Sequence, residues 1–225
     1  MPPCRGLLEL RWGIGVITFS GRGSGRAEVF HKPEDYAAFL DLFAPACERI
    51  SMRLVGWCLM PNHFHLVLWP RKDGDLGRWM QWLLTSYVRR YHKHYHSSGH
   101  VWQGRFKAFP IQQDEHFLTV LRYVERNALR AGLAPSAHDW QWGSLRARTV
   151  RGRSDLLAVP PVPLPKNWAR LVNEPQSEAE VAAIRASIAR GRPYGSSTWT
   201  RLASTKLGLE SPLRPRGRPK KDDKK

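Results

Sequence analysis

The spacing of hydrophobic and polar residues along the chain predicts its secondary structure. β-Branched and aromatic runs with alternating polarity predict strands at residues 14–20, 52–60, 63–69 and 106–112. Apolar residues that recur near the helical period predict helices at residues 33–50, 76–95, 114–130 and 175–190. The order β-α-β-β-α-β-α predicts an α+β fold with a ferredoxin-like or RRM-like core, an antiparallel sheet with helices on one face. A C-terminal helical extension and a basic tail would follow this core.

The strand predicted at residues 63–69 carries the first candidates for chemistry. Side chains alternate between the faces of a strand, so His63 and His65 share one face. Two imidazoles on one face can direct ring nitrogens at one metal ion. Imidazole suits several divalent metals, and the remaining ligands must come from elsewhere in the fold. The alternative is that both histidines are packed at a strand end and have only a structural role.

The helix predicted at residues 114–130 carries the second set of candidates. Asp114 is a plausible N-cap, and Tyr123 and Asn127 lie four residues apart, which places them on one helical face. An alternative tyrosine stripe on the preceding helix is more typical of a packed core than of catalysis. Its members are Tyr87, Tyr91 and Tyr95.

The charge of the chain indicates a polyanionic partner. Its 225 residues include 36 Lys and Arg against 19 Asp and Glu, a formal net charge of +17. Nucleic acid is the first candidate, because Lys and Arg release counterions from phosphates when they bind. The basic residues most plausibly placed for DNA are Arg22, Arg26, Arg89, Arg90, Arg105, Lys107, Arg216 and Arg218.

The last two arginines of this set belong to the C-terminal run Arg-Gly-Arg-Pro, which resembles an AT-hook. In an extended form such a run can lie in the narrow minor groove of A·T-rich duplex DNA. The alternative is a disordered tail that only increases solubility.

Cysteine usage and hydropathy exclude secreted and membrane-spanning classes. The three cysteines, Cys4, Cys47 and Cys58, are odd in number and widely spaced, so they do not form a disulfide framework. No apolar run reaches the roughly 18 residues that span a bilayer, and the N-terminus lacks the apolar region of a signal peptide. We therefore expect a cytoplasmic, nucleoid-associated protein without membrane contact.

Three sequence blocks carry a resemblance to a known family. The run Leu59-Met60-Pro61-Asn62-His63-Phe64-His65 resembles the His-hydrophobic-His signature of the HUH endonucleases. The blocks at residues 99–107 and 122–132 are similar to those of the single-tyrosine, REP-associated tyrosine transposases. In the second block, Ala128 replaces the proline that the family usually has after its asparagine.

This resemblance implies a metal-dependent endonuclease and transposase of single-stranded DNA. By the match, Tyr123 would be the nucleophile that forms a 5′-phosphotyrosine, and His63, His65 and Asn127 would hold Mg²⁺ or Mn²⁺. The implied substrates are hairpins of REP-like repetitive palindromes, which the enzyme would cleave and rejoin as a monomer or a homodimer. The alternatives are a non-catalytic nucleic-acid-binding module with an RRM-like core, and a hydrolase in which water attacks.

The composition also predicts how the chain is divided. We expect a nuclease domain at residues 1–145, a basic, proline-rich linker at residues 146–175, a helical extension at residues 176–210 and a disordered basic tail at residues 211–225.

Overall fold

A four-stranded antiparallel sheet forms the centre of the fold. The computed structural model describes residues 16–104, 106–149 and 154–213. The strands are β1 (Val16–Arg22), β2 (Met52–Met60), β3 (His63–Pro70) and β4 (Lys107–Ile111), in the spatial order β2-β3-β1-β4. All three neighbouring pairs are antiparallel. This strand order confirms the predicted α+β, ferredoxin-like class, with β1 and β3 in the middle.

The predicted helices are present, but two of them are divided. Their bounds are α1 (Pro33–Leu40), α2 (Phe43–Arg49), α3 (Asp75–Tyr95), α4 (Glu115–Glu125), α5 (Asn127–Arg130), α6 (Ser144–Ala147), α7 (Trp168–Asn173), α8 (Glu178–Arg190) and α9 (Ser197–Leu207). The helix predicted at residues 33–50 is interrupted before Phe43. Pro45 has no N–H to donate to the carbonyl of Asp41, so a continuous helix would lose a hydrogen bond there. The helix predicted at residues 114–130 divides at Arg126.

Helices cover both faces of the sheet, which corrects the prediction of helices on one face. The first core lies between the sheet and α1, α2 and α3, and contains Phe64 and Leu66 of β3. The second core lies between the other face and α4, α7 and α8, and contains Val67. Because β3 carries buried apolar side chains on both faces, each face must be covered to keep these side chains from water.

Part of the predicted linker packs against the second core. Trp168 and Val172 of α7 are buried, and the Trp168 indole Nε1 donates a hydrogen bond to Glu125 Oε2 at 2.7 Å. Residues 168–173 are therefore integrated in the fold, although they lie within the predicted linker of residues 146–175. The wider domain division stays a prediction, and the tail from residue 214 onward lies outside the described residues.

No helix in the described part of the chain combines the length and apolar character that spanning a bilayer requires.

Candidate functional site

A cleft of about 830 Å³ opens on the face of the sheet that α4 covers. It lies where the first residues of β3 approach the end of α4 and the inner side of α8. Five residues that the sequence singled out line this cleft together: His63, His65, Lys107, Tyr123 and Asn127. The structure therefore brings the two imidazoles, the tyrosine and the asparagine into one space.

The tight connection between β2 and β3 positions the two histidines. Pro61 and Asn62 join the strands, and His63 pairs with Met60 directly after this turn. The ring centroids of His63 and His65 are 5.1 Å apart. The Asn62 side-chain oxygen lies 2.7 Å from His63 Nδ1. In the tautomer with the proton on Nδ1, this nitrogen donates to the amide oxygen, and Nε2 can serve as a metal ligand.

Tyr123 lies beneath a guanidinium group at the side of the cleft. Tyr123 is 4% exposed. Its ring stands at 88° to the ring of His65, with the two centroids 5.9 Å apart. The guanidinium carbon of Arg130 lies 4.0 Å from the Tyr123 ring centroid, a cation–π contact. These two contacts fix the ring plane beside the histidines.

Asn127 completes the group from the first turn of α5. Its Oδ1 accepts a hydrogen bond from Arg130 Nη2. Its buried Nδ2 has no hydrogen-bond partner among the described residues. An amide oxygen has two lone pairs, so Oδ1 can accept from Arg130 and still bind a cation.

These donors fit a divalent cation. Imidazole nitrogens bind metals at about 2 Å, so two rings with centroids 5.1 Å apart can share one ion. The amide oxygen of Asn127 is a hard ligand of the kind that Mg²⁺ and Mn²⁺ prefer, whereas the imidazoles accept a wider range of metals. Three protein ligands leave coordination positions open for phosphate oxygens.

A second group of potential metal ligands, Asp114, Glu115 and His116, has a structural explanation. Asp114 is the N-cap of α4, as predicted, and its Oδ1 lies 2.9 Å from the backbone nitrogen of His116. The same oxygen lies 2.8 Å from the His116 ring Nδ1. These contacts satisfy the cap without an ion.

The predicted DNA-contacting residues are distributed unevenly. Lys107, at the start of β4, is exposed and lines the cleft. The backbone of Arg22 pairs with that of His63 at the end of β1, and Arg26 ends the turn Ser24–Arg26.

Other members of the predicted DNA-contacting set do not line the cleft or cannot be placed. Arg89 and Arg90 are exposed on α3, which packs on the other face of the sheet, and they do not line the cleft. Arg105, Arg216 and Arg218 lie outside the described residues.

The alternative tyrosines lie on the opposite side of the sheet from the histidines. Tyr87 donates to the carbonyl of Val29 at 3.0 Å, and Tyr95 donates to Asp35 Oδ2 at 2.7 Å. Burial raises the phenol pKa of Tyr87, Tyr91 and Tyr95, and Asp35 raises it further. None of the three lines the cleft with the histidines and Asn127, so the geometry favours Tyr123.

Two arginines of the cleft were not assigned a role from the sequence. Arg130 was visible three residues after Asn127 in the family-like block, a spacing that allows the two side chains to meet. Arg185 comes from α8, and no local pattern connects it with the site. Burial lowers the pKa of the Arg130 guanidinium, and the positive charges of Arg185 and Arg126 lower it further.

Comparisons with known proteins agree with the family resemblance of the sequence. Residues 22–127, which include His63, His65, Tyr123 and Asn127, match the family described as "Transposase IS200 like". A "Putative REP-associated tyrosine transposase" of Haemophilus influenzae is 26% identical over 117 residues, which cover 47% of this chain. The chain spans 66% of the length of that curated relative.

One solved structure is also similar to this chain. It is described as the "REP associates tyrosine transposase bound to a REP hairpin", is 15% identical and has a TM-score of 0.49. The match covers 73% of this chain and 93% of that one. The family match and the curated relative confirm the resemblance to REP-associated tyrosine transposases.

Proposed function

We propose that this relative of the REP-associated tyrosine transposases is a metal-dependent endonuclease and transposase of single-stranded DNA. One observation carries the proposal. Tyr123, two imidazoles from one strand face and the amide of Asn127 line the same cleft. A nucleophile beside a set of metal-binding donors is the combination that phosphoryl transfer to a tyrosine needs.

The side chains of the cleft have distinct roles in this proposal. A phenol has a pKa near 10 in water, so tyrosine is a weak nucleophile without assistance. His63, His65 and Asn127 would hold Mg²⁺ or Mn²⁺, which when bound neutralises charge on the non-bridging phosphate oxygens. Arg130 and His65 contact the Tyr123 ring and restrict its orientation, which would lower the entropy cost of positioning the nucleophile.

The proposed reaction exchanges one phosphoester bond for another. Tyr123 Oη forms a bond to phosphorus as the bond from phosphorus to the 3′ oxygen breaks. The phenol loses its proton and the departing 3′ oxygen gains one, so a 5′-phosphotyrosine and a free 3′-OH result. Because the bond energy is kept in the ester, a 3′-OH can reverse the step and rejoin strands.

The proposed substrate is a hairpin formed by a REP-like palindrome in single-stranded DNA. The net charge of +17 supports a polyanionic substrate, and the related protein of known structure is described as bound to a REP hairpin. Lys107 at the edge of the cleft is placed to contact a phosphate. Contacts from Arg22, Arg26 and Arg105 stay predictions, as does duplex binding by the Arg-Gly-Arg-Pro tail.

One observation favours the second candidate function, a non-catalytic nucleic-acid-binding module. Tyr123 is 4% exposed beneath Arg130, whereas a nucleophile must reach its phosphate. In that case the histidines would be structural, and replacing Tyr123 with phenylalanine would leave the properties of the protein unchanged.

The test is covalent capture of a 3′-labelled hairpin oligonucleotide in Mg²⁺ or Mn²⁺, followed by denaturing electrophoresis. We expect the label to stay on wild-type protein and on Tyr91→Phe, a matched control on the other side of the sheet. The label should be absent with Tyr123→Phe or with EDTA. Cleavage without an adduct would indicate a hydrolase, and binding without cleavage would indicate the binding module.

A further inference from the structure

A second groove adjoins the cleft, between α5 and the N-terminal half of α8. It encloses about 720 Å³, and two residues, Arg130 and Arg185, line both the groove and the cleft. Arg126 contributes a third guanidinium to the groove, and Val181 and Pro175 contribute apolar surface. A DNA strand that leaves the cleft on this side would therefore pass directly along three arginines.

None of the three arginines has a carboxylate partner among the described residues. Arg126 donates from Nε to the carbonyl of Glu174 at 2.9 Å, and Arg130 donates to the amide of Asn127. Arg185 is exposed and has no hydrogen bond or ion pair among the described residues. Glu178 also lines the groove, but no ion pair in the described part of the chain joins it to these arginines.

This uncompensated charge indicates an anionic ligand. The guanidiniums of Arg126, Arg130 and Arg185 line one groove and repel one another. In addition, Arg130 Nη1 is buried without a hydrogen-bond partner in the described structure. A buried donor without a partner is costly, and a phosphate oxygen would satisfy it.

We propose that Arg126, Arg130 and Arg185 bind phosphates of the single-stranded segment that flanks the hairpin. This inference rests on the proposed function, because it takes the scissile phosphate to lie beside Tyr123 in the cleft. Arg130 would mark the junction between the cleft and the groove. The helix α8, which lies beyond the matched range of residues 22–127, would then be part of the substrate site.

The test uses Tyr123→Phe protein, in which the proposed attack cannot occur, and fluorescence anisotropy with three labelled hairpins. One hairpin has no flank, and the others carry a 5′ or a 3′ flank of about six nucleotides. Arg185→Gln is compared with Arg201→Gln, which removes the same charge from an exposed position on α9. Both side chains are exposed, so neither change should disturb folding.

We expect Arg185→Gln to weaken binding of one flanked hairpin about three- to tenfold. The slope of the logarithm of that affinity against the logarithm of the salt concentration should become shallower by about 0.7. Binding of the unflanked hairpin should be unchanged, and Arg201→Gln should bind all three like the parent protein. Equal losses in both variants, or wild-type affinity of Arg185→Gln for both flanked hairpins, would overturn the inference.

The outcome can be separated from the proposed function itself. If wild-type protein forms the covalent adduct while Arg185→Gln binds the flanked hairpins normally, the proposed role of the groove is wrong and the proposed nuclease function is supported. If no adduct forms but Arg185→Gln loses flank binding, the groove binds single strands in a non-catalytic module.

Discussion

Glu125 anchors the end of the helix that carries Tyr123, and its replacement should destabilise the protein strongly. Its side chain is 0% exposed. Oε1 accepts hydrogen bonds from Ser144 Oγ at 2.6 Å and from Arg148 Nε at 2.9 Å, while Oε2 accepts from Trp168 Nε1 at 2.7 Å. This one carboxylate therefore joins α4, α6, α7 and the residue after α6.

The magnitude follows from these contacts. Glu125→Gln keeps the shape but removes the charge, and its NH₂ group must face a donor that the carboxylate accepted from. A hydrogen bond to a charged group contributes about 1.5–3 kcal/mol, and breaking a buried ion pair costs about 3–5 kcal/mol. Because the amide oxygen can still accept from some of these donors, we expect a loss of about 2–4 kcal/mol.

Urea unfolding followed by tryptophan fluorescence and circular dichroism measures this loss. The urea concentration at the unfolding midpoint should fall, while the slope of the free energy of unfolding against urea stays unchanged. That combination identifies a change of stability rather than a change of the denatured state. Glu48→Gln, at an exposed position on α2, is the matched control and should stay within about 0.5 kcal/mol of wild type. A Glu125→Gln protein as stable as that control would refute the reasoning.

Three further predictions test the metal donors, the buried phenol and the packing of the sheet. His63→Ala should weaken Mn²⁺ binding, measured by calorimetry, by about tenfold or more, because a metal ligand is lost. His100→Ala, a control at an exposed position, should bind Mn²⁺ like wild type. Equal Mn²⁺ affinities of the two variants would argue against the metal site. Burial raises the phenol pKa of Tyr87 above its ordinary 10.0. As the pH rises, the unfolded state therefore loses the phenol proton before the folded state does. The free energy of unfolding should fall as the pH rises above 10. The fall should be smaller in Tyr87→Phe, and parallel pH profiles would contradict this. Gly56→Ala should destabilise the protein by about 1–3 kcal/mol, because the new Cβ would lie 2.5 Å from a side chain of α4. Gly77→Ala in α3, where the Cβ meets nothing within 4 Å, should stabilise it by about 0.5–1 kcal/mol in thermal unfolding.

The central site could be predicted from the sequence because local periods position its members. The two-residue repeat of a strand places His63 and His65 on one face, and the helical repeat brings Tyr123 and Asn127 together. The family-like blocks then connected the strand with the helix, which no local pattern does. The structure places all four in one cleft, while their chemical roles stay predictions.

Long-range packing could not be predicted in the same way. The apolar stripe of α4 shows that one side is buried but not which face of the sheet it covers, so the two-sided arrangement was missed. Proline-rich composition around residues 160–165 hid the short helix with Trp168, whose partner Glu125 is 43 residues away. Arg185 likewise approaches Arg130 only through the fold, so its spacing in the sequence carried no signal.

Identification of the residue that becomes attached to DNA tests the central claim most directly. Wild-type protein would be incubated with the hairpin oligonucleotide and Mn²⁺, digested with nuclease and trypsin, and examined by mass spectrometry. Trypsin cleaves after Arg122 and Arg126, so Tyr123 lies in the peptide of residues 123–126, and Tyr87, Tyr91 and Tyr95 lie in other peptides. We predict a nucleotide remnant on the peptide with Tyr123. A remnant on any other tyrosine, or cleaved DNA without a modified peptide, would contradict the account.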